Sequence, residues 1–148
     1  LVLLGEPGRG KTHLAIAVAY KAIQNGYDAR FATAASLLNE MHVAAREADI
    51  EAALTECVAP DVLVIDELGY LTYGPDDANS LFQVVDRRYV KRKPNVITSN
   101  KDPESWGGVL HDPDFAVAIV ERLEEHGEIV RLKGKSYRRR KSDESATT

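Results

Sequence analysis

A glycine-rich segment near the start of the chain, Gly-Glu-Pro-Gly-Arg-Gly-Lys-Thr over residues 5–12, matches the phosphate-binding loop pattern at every fixed position. An apolar run, residues 1–4, precedes it, and an alanine-rich stretch of helical composition follows it. A strand, a glycine loop and a helix in this order surround an anion with backbone N–H groups and the positive end of the helix. We therefore predict a nucleotide-phosphate site formed by Gly5, Glu6, Pro7, Gly8, Arg9, Gly10, Lys11 and Thr12.

Two acidic residues follow the most apolar run of the chain. The run Val62 to Ile65 has the β-branched composition of a strand buried on both faces, and it ends in Asp66 and Glu67. A parallel sheet presents its chemistry at the carboxyl ends of its strands, so these carboxylates are expected beside the glycine loop. We predict that Lys11 reaches the β- and γ-phosphates and that Glu67 polarises the attacking water. The hydroxyl of Thr12 and the carboxylate of Asp66 are the predicted Mg²⁺ ligands.

Five strand-like segments alternate with segments of helical composition. The predicted strands span residues 1–4, 27–33, 62–65, 95–100 and 128–132. This alternation is typical of a parallel sheet covered by helices on both faces. We therefore predict an α/β fold of the P-loop NTPase type, a three-layer αβα sandwich. One domain is expected over residues 1–141, followed by a disordered tail over residues 142–148.

Asn100 closes the fourth predicted strand. At that place its neutral amide would lie near the γ-phosphate, where it could orient the attacking water. The alternative is that its side chain caps a helix or turn.

Composition excludes several classes of protein. Cys57 is the only cysteine, which rules out an internal disulfide framework, and the four histidines lack the spacing of zinc ligands. No signal peptide or membrane-length apolar run is present, so we predict a cytoplasmic protein without a membrane partner. The chain begins without Met, inside a predicted strand, and we expect it to be a fragment whose upstream part is missing.

Two basic segments stand out in a chain of net charge −4. Residues 87–93 hold five basic side chains, and residues 131–141 hold seven basic side chains and no acid. Such local clusters are electrostatic candidates for DNA backbone contacts, although cations also favour helix ends and solvated tails. The candidate DNA-binding residues are Arg87, Arg88, Lys91, Arg92, Arg138, Arg139 and Arg140.

Several further motifs carry a family resemblance. They are the loop followed by His-Leu-Ala, Leu-Val-Ile-Asp-Glu-Leu-Gly-Tyr-Leu over residues 63–71, Ile-Thr-Ser-Asn over residues 97–100, and Lys-Gly-Lys-Ser-Tyr-Arg over residues 133–138. Together they resemble the IstB-like ATPases, which are AAA+ helper proteins of insertion-sequence transposition and close relatives of the DnaC helicase loaders. The resemblance extends from Leu1 to about Arg140. Its Glu-Leu-Gly-Tyr-Leu and Ser-Tyr-Arg signatures are more selective than the phosphate loop.

This resemblance implies an AAA+ core with strand order 5-1-4-3-2 and Mg²⁺-dependent ATP hydrolysis. It also implies a homo-oligomer that assembles on double-stranded DNA and recruits or activates a transposase. Asn100 would be the sensor after the fourth strand, and Arg122 would be an arginine finger acting on the ATP of a neighbouring subunit. Arg122 could instead form a surface ion pair with Glu124 or Glu125. Arg138 is open between a second sensor and a DNA contact, and the adenine-holding segment of relatives lies upstream of this sequence.

Three alternative functions would use some of the same motifs. A DnaC-like replicative helicase loader would use the same chemistry on a different client. A GTPase switch would read Asp66 to Gly69 as its Asp-x-x-Gly motif, but Asn100-Lys101-Asp102 places the aspartate one residue too early for guanine recognition. A nucleotide-gated DNA clamp would bind ATP with negligible hydrolysis, and a complete set of Lys11, Thr12, Asp66 and Glu67 argues against it.

Overall fold

A computed structural model describes residues 1–138, in which five strands form one parallel sheet. The strands are β1 (Val2–Leu4), β2 (Ala29–Thr33), β3 (Val62–Leu68), β4 (Asn95–Ser99) and β5 (Ile129–Arg131). Their spatial order is β2-β3-β4-β1-β5, and every neighbouring pair is parallel. The predicted order 5-1-4-3-2 is confirmed. Arg139, Arg140 and the proposed end of the domain at residue 141 lie outside the described residues.

Helices cover both faces of this sheet. They are α1 (Lys11–Gln24), α2 (Ala34–Arg46), α3 (Ile50–Val58), α4 (Asp77–Val90), α5 (Trp106–Val109) and α6 (Pro113–Glu125), with a short 3₁₀ turn over Pro103–Ser105. Alternate residues of β3 face opposite layers: Val62 and Val64 pack with α1, whereas Leu63 and Ile65 join the larger core on the other face. Both faces of the central strands are therefore buried away from water, as their continuous apolar sequence predicts. In residues 1–138, no helix combines the length and the apolar character needed to cross a membrane.

The structure corrects one of the DNA-binding predictions. Arg88 has no exposed surface, and its guanidinium lies between the end of α3 and the starts of β3 and β4. It donates to the side-chain oxygen of Asn95 at 2.7 Å and to the backbone carbonyls of Cys57, Val58, Pro60, Asp61 and Pro94 at 2.8 to 3.2 Å. Burial lowers the pKa of Arg88 to about 10, so the group remains charged at neutral pH. Arg88 is a structural residue and does not contact DNA in this fold.

Replacing Arg88 by methionine is expected to lower the free energy of unfolding by about 3 kcal/mol, because buried carbonyls lose their charged donor. Urea unfolding followed by circular dichroism measures the effect. The matched control is Arg87→Met, since Arg87 forms a two-pronged ion pair with Glu51 at the surface, at 2.9 Å for both contacts. We expect the control to change the unfolding midpoint little, because solvent screens exposed pairs. Equal destabilisation by both variants would contradict the role given to Arg88.

Candidate nucleotide-binding site

The glycine loop connects β1 to α1 and borders a cleft of about 430 Å³. Gly8 and Gly10 have φ angles of 79° and 85°, in the left-handed region that favours glycine. A side chain at Gly8 would meet the Ser136 hydroxyl oxygen at 2.3 Å, whereas the space beside Gly10 is open. The cleft is lined by Pro7, Gly8, Gly10, Lys11, Thr12, His13, Glu67, Tyr70, Thr98, Tyr137 and Arg138. The loop thus presents its backbone and the first turn of α1 to a space that fits phosphates.

Lys11 lies at the base of this cleft and is only 6% exposed. Its Nζ donates to the backbone oxygens of Gly5 at 2.6 Å and Glu6 at 2.9 Å. Burial lowers the pKa of Lys11, and the nearby carboxylate of Asp66 partly offsets this effect. A desolvated ammonium group gains a favourable counter-charge when a phosphate enters the cleft. The position and the electrostatics of Lys11 therefore suit a phosphate-binding lysine.

The Asp66 carboxylate is buried against hydroxyl groups from two other elements. Its oxygens accept from Thr12 Oγ1 at 3.0 and 3.1 Å, and one of them also accepts from the hydroxyl of Thr98 on β4. Hydroxyl and carboxylate oxygens are the donors that Mg²⁺ prefers, and Mg²⁺ usually completes its shell with water and substrate phosphate. Residues 1–138 hold no cluster of three or more His, Cys, Asp or Glu side chains that could form a cage. The pair Thr12 and Asp66 thus fits a magnesium ion that is shared with a nucleotide.

Glu67 is placed by an irregularity in β3. The pairing of β3 with β4 shifts register between Ile65 and Leu68, and Glu67 has a φ angle of 61°. Its N–H donates to Thr98 Oγ1 at 2.9 Å, and its side chain reaches the cleft. Left-handed backbone at a non-glycine residue costs free energy and often marks a functional position. β3 therefore extends beyond the predicted strand and carries both acids, with Glu67 turned towards the cleft.

Thr98 is a site residue that sequence reasoning missed. Its hydroxyl contacts both acids, since it donates to Asp66 and accepts from the backbone of Glu67. A usable signal exists in the strand alternation, because Val96 packs on the α1 side and Thr98 lies two residues further along β4. A polar residue at that place in a buried strand indicates a partner on the neighbouring strand. Tyr70 and Tyr137 also line the cleft and were not predicted as site residues.

Asn100 follows the end of β4 but does not line the phosphate cleft. Its side-chain oxygen is buried beside Gly69 and accepts no hydrogen bond from residues 1–138. A buried acceptor without a donor is unusual and is readily satisfied by a water or by a change of side-chain rotamer. The water-orienting role of Asn100 stays a prediction.

Arg122 lies in the packing between α4 and α6, away from the phosphate cleft of its own chain. Its guanidinium pairs with Asp86, donates to the carbonyl of Ala118 at 3.1 Å, and lies 4.8 Å from the centre of the Phe82 ring. The alternative partners Glu124 and Glu125 are not used. Action on a neighbouring subunit would require Arg122 to exchange Asp86 for phosphate, so the finger role stays a prediction.

The basic candidates separate into two places on the chain. Arg138 is exposed and lines the phosphate cleft above the loop, where the N–H of Tyr137 donates to the Gly8 carbonyl at 3.0 Å. Lys91 and Arg92 lie at the opposite edge of the sheet, just before β4, and border a second groove. Of these DNA-binding candidates, Arg138 therefore lies at the nucleotide site, whereas Lys91 and Arg92 lie at a separate place.

Curated proteins that are similar to this chain include ATP-binding proteins of insertion sequences. An ATP-binding protein of insertion sequence IS5376 from Geobacillus stearothermophilus is 46% identical over 140 residues, which is 95% of this chain and 55% of that protein. The replicative helicase loader DnaC of Escherichia coli is 30% identical over 111 residues, covering 74% of this chain and 45% of the loader. The chain thus spans about half the length of the curated relatives it matches.

Solved structures agree on the fold. DnaA from Aquifex aeolicus with bound AMPPCP superposes with a TM-score of 0.77 at 20% identity, over 99% of this chain and 44% of DnaA. At that identity the likeness establishes the AAA+ P-loop fold alone. The family model described as IstB-like ATP binding protein matches residues 1–145. With its phosphate loop and its paired acids at one cleft, the chain belongs to the family of IstB-like ATP-binding proteins.

Proposed function

We propose that the chain is the ATPase core of a helper protein that assembles on double-stranded DNA and recruits or activates a transposase in insertion-sequence transposition. The observation that carries this proposal is that Lys11 and Glu67 line one cleft beside the glycine loop, where Thr12 also holds the carboxylate of Asp66. The proposal is also supported by the 46% identity to an insertion-sequence protein whose name describes ATP binding. The family description also favours ATP over the GTP of a switch protein.

Several residues of the site have a chemical task in ATP hydrolysis. The loop amides and Lys11 bind the phosphates, and Glu67 accepts a proton from the attacking water. Thr12 and Asp66 would hold Mg²⁺, which neutralises charge on the phosphate oxygens when bound. Arg138 is placed to contact phosphate in the same cleft. In an assembled protein, Arg122 of a neighbouring subunit would complete the site.

Self-assembly is supported by the outer surface of α1. This helix buries a narrow alanine stripe, Ala15 and Ala19, against the sheet. The two flanks of this stripe expose large apolar side chains, with exposed fractions between 37% and 62%: Leu14 and Val18 on one flank, and Ile16, Tyr20 and Ile23 on the other. Exposed apolar side chains at positions i, i+4 and i+7, here Ile16, Tyr20 and Ile23, form a row on one flank that indicates an interaction site. A surface beside the nucleotide cleft suits subunit contacts that respond to ATP.

DNA contact is supported by the basic edge, which we define as Lys91, Arg92 and Lys93. None of the three forms an ion pair with an acid among residues 1–138, and all border the same open groove. Arg87 is different because Glu51 already neutralises it. Unpaired cations on one edge favour the phosphate backbone of DNA without regard to sequence. We retain Arg139 and Arg140 as predicted contacts.

The test is steady-state ATP hydrolysis over a range of protein concentrations, with and without long duplex DNA. We expect turnover per chain to rise at least about tenfold when DNA and high concentration allow the finger arginine to reach a neighbouring site. Turnover that depends on neither variable would be consistent with an ATPase but would contradict the proposed assembly on DNA.

A matched pair of variants connects the DNA effect to the basic edge. Lys91→Gln combined with Arg92→Gln is expected to raise the DNA concentration needed for half-maximal stimulation and to reduce the salt slope of binding by about two. Arg87→Gln removes a cation of the same segment that is already paired, and we expect a smaller shift. A larger shift for Arg87→Gln than for the double variant would contradict the role of the basic edge in DNA binding.

A second candidate function is loading of a replicative helicase, which the 30% identity to DnaC favours. The two functions differ in their client. Stimulation of hydrolysis by a transposase from the same genome, and not by the replicative helicase, would support transposition. The opposite result would support the loader.

A further inference from the structure

The loop between β3 and α4, residues 69–76, is fixed at both ends. The Gly69 N–H donates to the hydroxyl of Tyr73 at 2.9 Å, and the Tyr73 ring is buried in the core. At the other end, the Gly74 N–H donates to Asp77 Oδ2, and the Nε2 of His42 lies 2.7 Å from the second oxygen of Asp77. These contacts restrain both ends of the segment that carries Tyr70.

Tyr70 projects from this fixed loop into the nucleotide cleft. It is 37% exposed and lines the cleft together with Lys11, Glu67 and Arg138. Burial raises the pKa of Tyr70, and the carboxylates of Glu67 and Asp66 raise it further, so the phenol is protonated at neutral pH. Its hydroxyl makes no hydrogen bond within residues 1–138. The cleft therefore contains a neutral O–H donor that the rest of the described chain leaves unused.

The position of this donor points to one part of the nucleotide. The loop amides and the first turn of α1 cradle the inner phosphates, so the terminal phosphate faces Glu67, which must act on the water that attacks it. Tyr70 is a neighbour of Glu67, since its backbone N–H donates to the Glu67 carbonyl at 3.4 Å, and both residues line the cleft. A neutral hydroxyl can donate to a phosphate oxygen, whereas a further cation at this place would form ion pairs with the carboxylates.

We propose that the Tyr70 hydroxyl donates a hydrogen bond to the terminal phosphate of bound ATP and thereby makes nucleotide affinity depend on that phosphate. The inference rests on the proposed ATP site and adds a residue that discriminates triphosphate from diphosphate. The fixed loop gives this contact its precision, because Gly69 and Gly74 are held by Tyr73 and Asp77. Hydrolysis would remove the acceptor and release Tyr70.

The test compares Tyr70→Phe with the unmodified protein. Dissociation constants are measured for a non-hydrolysable ATP analogue and for ADP, both with Mg²⁺, together with the melting temperature without nucleotide. We expect the analogue to bind about tenfold more weakly and ADP to change by less than about twofold, since one hydrogen bond to a charged group is lost. Tyr27→Phe is the matched control, because Tyr27 is 58% exposed between α1 and β2 and lies outside the cleft.

The outcomes separate this inference from the proposed function. Equal weakening of both nucleotides, or no change in either, overturns the role of Tyr70 while the unmodified protein still binds ATP. A loss confined to the triphosphate, with an unchanged melting temperature, supports it, because a purely structural role would not distinguish the two ligands. An unmodified protein that binds neither nucleotide overturns the ATP site and the role of Tyr70 together.

Discussion

Replacing Lys11 by alanine is expected to weaken ATP binding by about 10³-fold, which corresponds to about 4 kcal/mol. The loss is large because Lys11 is nearly buried and no other lysine lines the described part of the cleft. Arg138 also lines the cleft, but it is exposed to solvent and its charge is more strongly screened. Without the ammonium group, the phosphates enter a cleft that retains the charges of Asp66 and Glu67.

Titration with a fluorescent ATP analogue in the absence of DNA measures this loss. The matched control is Lys21→Ala, since Lys21 lies in the last turn of α1 and is exposed. We expect that variant to bind within about twofold of the unmodified protein, because exposed charges at this distance are screened. Tight binding by Lys11→Ala would contradict the assignment of residues 5–12 as a phosphate loop.

The same lysine predicts the direction of a pH effect. Burial lowers the pKa of Lys11 in the empty cleft, so the ammonium form is lost at a lower pH than for an ordinary lysine. Phosphate binding favours the charged form. ATP affinity is therefore expected to decline on the alkaline side before the pH reaches the ordinary value of 10.5.

The local motifs were predictable because each depends on a short stretch of sequence. The glycine loop requires two glycines, a lysine and a threonine at fixed spacing, and the acids of β3 follow an uninterrupted apolar run. Parallel pairing then brings the carboxyl ends of β1, β3 and β4 to one edge. The fold, the positions of Lys11, Thr12 and Glu67 at one cleft, and the contact of Asp66 with Thr12 follow from these local motifs and this pairing.

The burial of Arg88 required information from distant segments. Its guanidinium contacts the carbonyls of residues 57, 58, 60, 61 and 94, which are adjacent only after α3, β3 and β4 have packed. The helix pattern held a partial signal, because Leu81, Val84, Val85 and Arg88 share one face of α4. Reading residues 87–93 as one charged cluster ignored that periodicity. Arg87, one position earlier, lies on the exposed face and pairs with Glu51.

The roles of Thr98 and Tyr70 were hidden for a different reason. Both are ordinary residues in sequence, and their importance comes from the irregular geometry of β3. The register shift after Ile65 turns Glu67 towards the cleft and places its N–H on Thr98. The loop that follows β3 then places Tyr70 in the same cleft as Glu67. No spacing rule predicts a local shift of this kind, because it depends on the pairing of β3 with β4.

Replacing Glu67 by glutamine is expected to retain ATP binding and to lower DNA-stimulated turnover by about 10² to 10⁴-fold, the usual range for a lost general base. Glutamine has nearly the same shape but cannot accept the proton of the attacking water. The backbone contact from the Glu67 N–H to Thr98 does not involve the side chain, so the left-handed geometry is expected to survive. Removing one negative charge from the cleft should also make ATP binding equal or slightly tighter.

Single-turnover hydrolysis and analogue binding, measured on the same preparation, separate the two effects. The matched control is Glu56→Gln, the same chemical change on the exposed side of α3, and we expect its turnover to match that of the unmodified protein. Unchanged turnover in Glu67→Gln would remove Glu67 from the catalytic role. Negligible turnover in the unmodified protein, even with DNA and at high concentration, would instead favour a nucleotide-gated clamp. In that case the strained backbone at Glu67 would serve to detect ATP, because a carboxylate beside the terminal phosphate responds to its charge whether or not water attacks it.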